Sequence, residues 1–458
     1  MSIQKVPNAD LAYYLASYDK DGRERADDPD GLMSDVIARA IAQEPVTDAF
    51  VISHGWKGDV PAAIDQYDRW IGAMAGCAAD RQEIRQLRPG FKALLVGFHW
   101  PSQPWGDEEF GSGAASFAAP AAAGPGAAAT SADAMMRKLV ESYADRIADT
   151  ARAREAIRTI LTSAMNAGPG TKSLPPEVAA AYRVLNEEAK LGSDGPAGTP
   201  GSDREPFDPD RAFKNAQNAA AGPGAGVASF GGFGFSALLS PLRQLSFWKM
   251  KDRARTLGES AGHGLVQKMM KAVPAGREVR FHLMGHSFGC IVVSSMVNGP
   301  NGAGALPRPV NSLTLVQGAT SLWGYCDKIP KTSKPGYFRK IIEGNKVSGP
   351  IVTTQSKLDT AVGKLYPLAA GAAQQVSFAP GELPTYGGLG AFGIQGTGLT
   401  LHDLAIGDAA HKYSFQPRHV YNLECSGVIK DGSGPSGAHS DIAKPEVAHA
   451  MWEAVKVS

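Results

Sequence analysis

Two kinds of apolar run alternate along roughly the first 100 residues. Short runs such as "AFVI" (49–52) and "ALLVGF" (93–98) are apolar at every position. Longer stretches place apolar residues three and four apart: "GLMSDVIARAIAQE" does so at Met33, Val36, Ile37 and Ile41, and "AAIDQYDRWIGAMAG" predicts a second helix. A strand apolar on both sides needs cover on both sides, and a strand–helix alternation supplies it through a mostly parallel sheet. Ahead of these, "LAYYLASYDKDGRER" reads as a hairpin: alternating apolar residues, an Asp-Lys-Asp-Gly turn and a charged return strand.

The alternation stops near residue 103 and resumes near 242. In the second part, "FWKMKDRARTLGESAGHGLVQKMMKA" predicts an amphipathic helix with a charged face. "VRFHLM", "VNSLTLVQGATSLWGY", "GPIVTTQSKLD" and "HVYNLECSGVI" predict strands, while "KPGYFRKIIEGN", "TAVGKLYPLAAG" and "KPEVAHAMWEAV" predict helices. Residues 1–102 and 242–458 thus read as two parts of one α/β core, and 103–241 as a mainly helical insertion. Inside the insertion, "ADAMMRKLVESYADRIADTARAREAIRTILTSAM" and "PPEVAAAYRVLNEEAKL" are helical, with Met135, Met136, Leu139 and Tyr143 as packing residues. "GAASFAAPAAAGPGAAATSA" and "GSDGPAGTPGSDREP" read as flexible connectors. "FGGFGFSALLSPL" is apolar but too short to span a bilayer.

Charge narrows the classes. With 46 basic and 45 acidic residues the net charge is +1, which leaves no electrostatic footprint for nucleic acid. "MSIQKVPNADLAYYL" lacks a charged region followed by an apolar one, and no run has the length of a membrane span, so a soluble, cytoplasmic protein is expected. Cys77, Cys290, Cys326 and Cys425 lack CxxC spacing and read as buried free thiols. There is no HExxH and no Cys/His cluster, so no metal or cofactor is expected. "GLGAFG" (388–393) matches G-x-G-x-x-G without the flanking strand and helix, and reads as a loop.

The most apolar segment, "VRFHLMGHSFGCIVVSSMV", is interrupted at its middle. Gly285-His286-Ser287-Phe288-Gly289 fits G-x-S-x-G between a strand and a helix. A strand that turns at once into a helix strains its corner residue and crowds the side chains two positions to either side; glycine at both flanks removes the collision. The interruption presents Ser287 at the carboxyl edge of the sheet, near the positive end of the next helix.

With this motif the chain resembles serine hydrolases of the α/β-hydrolase fold, of the bacterial esterase and lipase kind. The resemblance covers about Ala12 to Trp100 and Leu242 to Ala454, carried by "VISHGWKGD", "GFHWPS", "MGHSFGC", "TTQSKLD" and "GAHSDI". It implies a nucleophile, an acid and a histidine in that chain order. Ser287 is the expected nucleophile. His439, in the Gly-rich loop after the last strand, is the expected base rather than His286, His402, His411 or His419. Asp359 is the expected acid, with Asp327 one strand earlier as its rival and Asp441 read as a cap for the final helix. The backbone N–H groups of Phe288 and Trp56 would form the oxyanion hole, with Gly55 admitting the backbone and His54 bracing the loop.

The resemblance further implies hydrolysis of a small-molecule or lipid-like ester through an acyl-enzyme, without cofactor. "FGGFGFSALLSPL" is a candidate cover for the acyl pocket, although caps in this fold commonly follow the strand after the nucleophile and this insertion precedes it. Peptidase or thioesterase chemistry on the same fold, or a non-catalytic interaction protein using the insertion, are the alternatives.

Overall fold

The computed structural model describes residues 3–26, 29, 31–56, 60–103, 125–166, 171–221, 237–371, 382–432 and 436–458. Its centre is one sheet of nine strands: β1 (Ile3–Lys5), β2 (Ala12–Ser17), β3 (Asp48–Ser53), β4 (Ala93–His99), β5 (Arg280–His286), β6 (Ser312–Val316), β7 (Ile351–Gln355), β8 (Leu401–Ala405) and β9 (Val420–Glu424). They lie in the order β1-β2-β4-β3-β5-β6-β7-β9-β8. The β1–β2 pair is antiparallel and every other pair is parallel.

The helices of the first part are α1 (Met33–Gln43), α2 (Val60–Gly76) and α3 (Ala78–Leu87), and those of the insertion are α4 (Pro125–Arg146), α5 (Ala151–Asn166), α6 (Pro176–Ala189) and α7 (Pro209–Ala221). Then follow α8 (Ser240–Leu257), α9 (His263–Lys271), α10 (Gly289–Asn298), α11 (Arg339–Glu343), α12 (Tyr366–Ala369), α13 (Leu389–Phe392) and α14 (Pro445–Lys456).

The unbroken apolar runs are explained by β3. Successive side chains point to opposite faces of a sheet. Ala49 and Val51 accordingly enter one core, with α1, α8, α9 and α10, while Phe50 and Ile52 enter another, with α2 and α14. The insertion joins the first of these. Leu139, Tyr143, Ile157, Ile160, Tyr182 and Leu185 pack in the same cluster as Leu242, Leu245 and Trp248. The Tyr182 hydroxyl donates to the Leu238 carbonyl, fastening α6 to the start of α8.

Several sequence expectations change. The hairpin forms between β2 and β1; the charged return strand contributes only the bridge Tyr18–Glu24. With β4 on the other edge of β2, both edges of that strand are already taken. Residues 192–206, expected as a flexible connector, pack against the core with Ala197, Asp203 and Arg204 buried. Ala197 N–H donates to Asp203 Oδ1 (2.7 Å), and Arg204 donates to the carbonyls of Leu191 and Gly192, beside the carboxyl end of α6 where backbone acceptors go unpaired.

The helix expected from Phe247 starts at Ser240 and is buried on most sides, because it lies between the helices of the insertion and α10. The 241/242 boundary therefore falls within α8. Residues 113–124 of the other connector and 230–236 of the candidate cover lie outside the described residues; Leu238 and Leu239 are buried. Among the described residues no helix is long and apolar enough to cross a membrane. All four cysteines are free and buried.

Candidate active site

Five connections leave the carboxyl ends of parallel strands and converge. They carry Gly55 and Trp56 after β3, Ser287 after β5, Gln317 and Ala319 after β6, Asp359 after β7 and His439 after β9. In open parallel sheets this end is where the helices and loops leave a crevice.

The turn from β5 into α10 holds Ser287 at φ +57°, the left-handed region that costs a non-glycine residue about 1–3 kcal/mol. Neighbouring main chain holds it there: Ser287 N–H donates to the Val316 carbonyl and Ala319 N–H donates to the Ser287 carbonyl, both at 3.1 Å. The flanking glycines are steric requirements. A Cβ on Gly285 would lie 2.4 Å from the Gly289 carbonyl oxygen, and one on Gly289 would lie 2.2 Å from that of Ser53. Gly55 is equally constrained, since a Cβ there would meet Ser287 Cβ at 2.7 Å.

Ser287 Oγ lies 2.8 Å from His439 Nε2, and His439 Nδ1 lies 2.7 Å from Asp359 Oδ2. A carboxylate accepts, so Nδ1 carries the proton and Nε2 is left to accept from the serine hydroxyl. Asp359 is buried; its Oδ1 accepts from Val362 N–H at 3.2 Å, at the start of the π-helical turn Ala361–Leu365. The Asp359 and His439 loops are paired directly: Ala438 N–H donates to the Leu358 carbonyl at 3.0 Å, and Asp359 bridges Gly437.

A cavity of about 210 Å³ opens over Ser287 and His439. Trp56, Phe247, Phe288, Val362, Leu365 and Tyr366 supply most of its apolar wall, and no Asp, Glu, Lys or Arg among the described residues lines it. The rings of Trp56 and Phe288 stack at 5.4 Å, and the Trp56 indole N–H donates to the Gln103 carbonyl at 3.0 Å. Phe288 N–H has no backbone acceptor among the described residues, as expected for the first amide groups of a helix. His54 braces the loop: its N–H donates to Tyr67 Oη (3.0 Å), and its carbonyl accepts from the Trp100 indole (3.2 Å).

The rivals lie elsewhere. Asp327 is exposed and takes the Thr397 hydroxyl. His402 and His419 stack on each other at the β8 edge, an edge strand the sequence did not announce. Asp441 does not cap α14, whose N-cap is Lys444; its Oδ2 accepts from the N–H groups of Lys430 and Asp431 and its Oδ1 pairs with Lys444. "GLGAFG" contains one helical turn, α13, and packs Gly390 against Gln317.

Sequence reasoning missed Gln317 and undervalued His286. Gln317 Nε2 donates to Asp359 Oδ2 (2.8 Å) and to the Gly390 carbonyl (2.9 Å), while its Oε1 accepts from Thr354 Oγ1 (2.9 Å). Its one sequence signal is a polar residue directly after a buried strand, "SLTLVQG".

Two other clusters have the same chemical types away from this cavity. His282, at the amino ends of the strands, joins Ser312 Oγ (2.8 Å) to Asp48 Oδ1 (3.1 Å), with all three side chains buried. Asp80, His449 and Glu453 come close enough to hold a cation, but Lys456 Nζ already sits among them, 2.8 Å from Asp80 and 2.5 Å from Glu453. The chain matches no protein-family model, no curated protein and no solved structure.

Proposed function

We propose that the protein is a serine hydrolase of the α/β-hydrolase kind that cleaves a carboxylic ester. The observation that carries this reading is the continuous array from Ser287 Oγ through His439 to Asp359, on a strained turn beneath an apolar cavity. The placement of serine after β5, acid after β7 and histidine after β9 follows the order that this fold uses.

In this mechanism His439 Nε2 takes the hydroxyl proton as Ser287 Oγ bonds to the ester carbonyl carbon. The oxyanion forms beside the Phe288 and Trp56 main chain, where amide donors oppose the new charge. Collapse breaks the bond to the alkoxy group, which leaves as the alcohol with the proton from His439. Water then attacks the acyl-enzyme and gives a proton to His439, which passes it to Ser287 Oγ as the acyl bond to that oxygen breaks and the acid is released. Asp359 keeps the imidazole in the Nδ1–H tautomer and stabilises the imidazolium. The uncharged wall suits an uncharged acyl group, since a charge left there unpaired would forfeit its hydration.

A fluorophosphonate probe should label the pure protein once, and Ser287→Ala should abolish both labelling and hydrolysis of p-nitrophenyl butyrate. Turnover retained by a folded Ser287→Ala protein overturns the reading.

A further inference from the structure

We infer that His286, directly before Ser287, is a positioning residue that holds the main chain of His439, with Gln66 behind it. The inference rests on the serine hydrolase reading. His286 is buried, and both ring nitrogens are engaged. Nε2 lies 2.9 Å from the His439 carbonyl oxygen, and Nδ1 lies 2.9 Å from Gln66 Nε2 on α2. A carbonyl oxygen only accepts, so Nε2 carries the proton; Nδ1 then offers a lone pair to the Gln66 amide. The two contacts select one tautomer and fix the ring plane, and the site is shielded from competing water.

The geometry joins the two halves of the array through the peptide frame. The ring of His286 packs 5.0 Å from the ring of His439. The other main-chain anchors of this loop act on its neighbours or its amide: Ala438 N–H on the Leu358 carbonyl, and His439 N–H on the Ser436 carbonyl at 3.3 Å. His286 holds the carbonyl side of His439. The turn that fixes Ser287 therefore also fixes the residue that must accept its proton. His439 gains and loses a charge twice per turnover while Asp359 draws it from one side. A tether on its carbonyl keeps Nε2 at 2.8 Å from Oγ through that cycle.

The test compares His286→Phe, which keeps a ring of similar size without the N–H, with His286→Gln, whose side-chain amide can return a donor near the Nε2 position. Steady-state kinetics on p-nitrophenyl butyrate should show kcat of His286→Phe reduced by about 10²-fold, the scale set by a small displacement of a reacting group, with KM within about twofold. His286→Gln should recover at least about tenfold of that loss. Gln66→Leu should lower kcat in the same direction, and the His286→Phe/Gln66→Leu double variant should be no worse than His286→Phe, as for residues acting in one chain.

Unimpaired kcat in a folded His286→Phe protein, no recovery in His286→Gln, or additive losses would overturn the inference. Should His286→Phe not fold, His286→Gln and Gln66→Leu decide by the same kcat and KM readings. Ser287→Ala in the same assay separates the two ideas: turnover surviving there removes the hydrolase reading, whereas an inactive Ser287→Ala beside an unimpaired His286→Phe removes only this inference.

Discussion

The side-chain amide of Gln317 donates at 2.8 Å to Asp359 Oδ2, the same oxygen that lies 2.7 Å from His439 Nδ1. Two donors on one oxygen, with Val362 N–H on the other, fix the carboxylate plane from three directions. Gln317 is itself held by Thr354 and the Gly390 carbonyl, and sits at φ +46°, a strained conformation its neighbours impose. The acid of the proposed array is thus oriented by β6 as much as by β7.

Replacing Gln317 by Leu removes that donor and leaves Oδ2 with the imidazole alone. We expect kcat to fall by about 10²-fold with KM little changed, because the loss misorients the base without altering the cavity wall. Steady-state kinetics on a short p-nitrophenyl ester checks this. A rise in KM with kcat preserved would mean that Gln317 acts on substrate binding.

Asp359→Asn should be more severe. An amide can present its N–H to Nδ1 and so select the wrong tautomer, a change that costs about 10⁴-fold in kcat where such an array is catalytic. Asp327→Asn, at an exposed position bonded to Thr397, should stay within about threefold of the parent, as surface changes away from a site do. If the order of damage were reversed, the acid would have been misassigned.

What was legible in the sequence follows from period and punctuation. The runs around β3, β5 and β6 announce strands covered on both faces, and the glycines of "GHSFG" announce the turn at Ser287, because both effects act within a few residues. Gln317 and His286 gave no such signal. Their roles depend on partners 42 and 153 residues away, which no local pattern encodes. β8 was missed for a related reason. It is an outer edge strand, half-buried or exposed along its length, so its sequence carries little apolar pattern. "GSDGPAGTPGSDREP" was misread because glycine and proline signal turns as readily as disorder; its order comes from the burial of Asp203 and Arg204.

The buried His282 makes stability depend on pH. Burial pushes its pKa below the usual 6.5, against the opposing pull of Asp48. Burial alone would raise Asp48, but hydrogen bonds from His282 and Thr47 and the Arg88 charge hold it below 3.8. The unfolded chain therefore binds the His282 proton more readily than the folded one. This stability is present above about pH 6.5 and is lost as the pH falls toward the folded value. Asp48 adds a second loss below about pH 4. Thermal unfolding should show the parent losing more Tm between pH 7 and pH 5 than His282→Gln does. Parallel curves for the two proteins would remove His282 from the account.

Lys251 and Asp203 are buried although the sequence context of each pointed outward. Lys251 belongs to "KMKDRAR", expected as a charged face, and Asp203 to an expected connector, yet both are buried against Tyr366, whose ring lines the cavity. Lys251 Nζ lies 2.5 Å from the Tyr366 hydroxyl, 3.6 Å from Asp203 Oδ2 and 4.4 Å from the centre of the Trp248 ring. Burial draws the Lys251 pKa down to about 7 and raises that of Asp203, so each ion is tolerated there chiefly through the other. Lys251→Met removes the cation and leaves the carboxylate its hydrogen bonds from Tyr366 and Ala197 but no counter-charge. Breaking one side of such a pair costs about 3–5 kcal/mol. Adding Asp203→Asn, which keeps an acceptor for Ala197 N–H, should restore about 1–3 kcal/mol of that loss in urea unfolding. Simple addition of the two single losses would show that the ions do not stabilise each other.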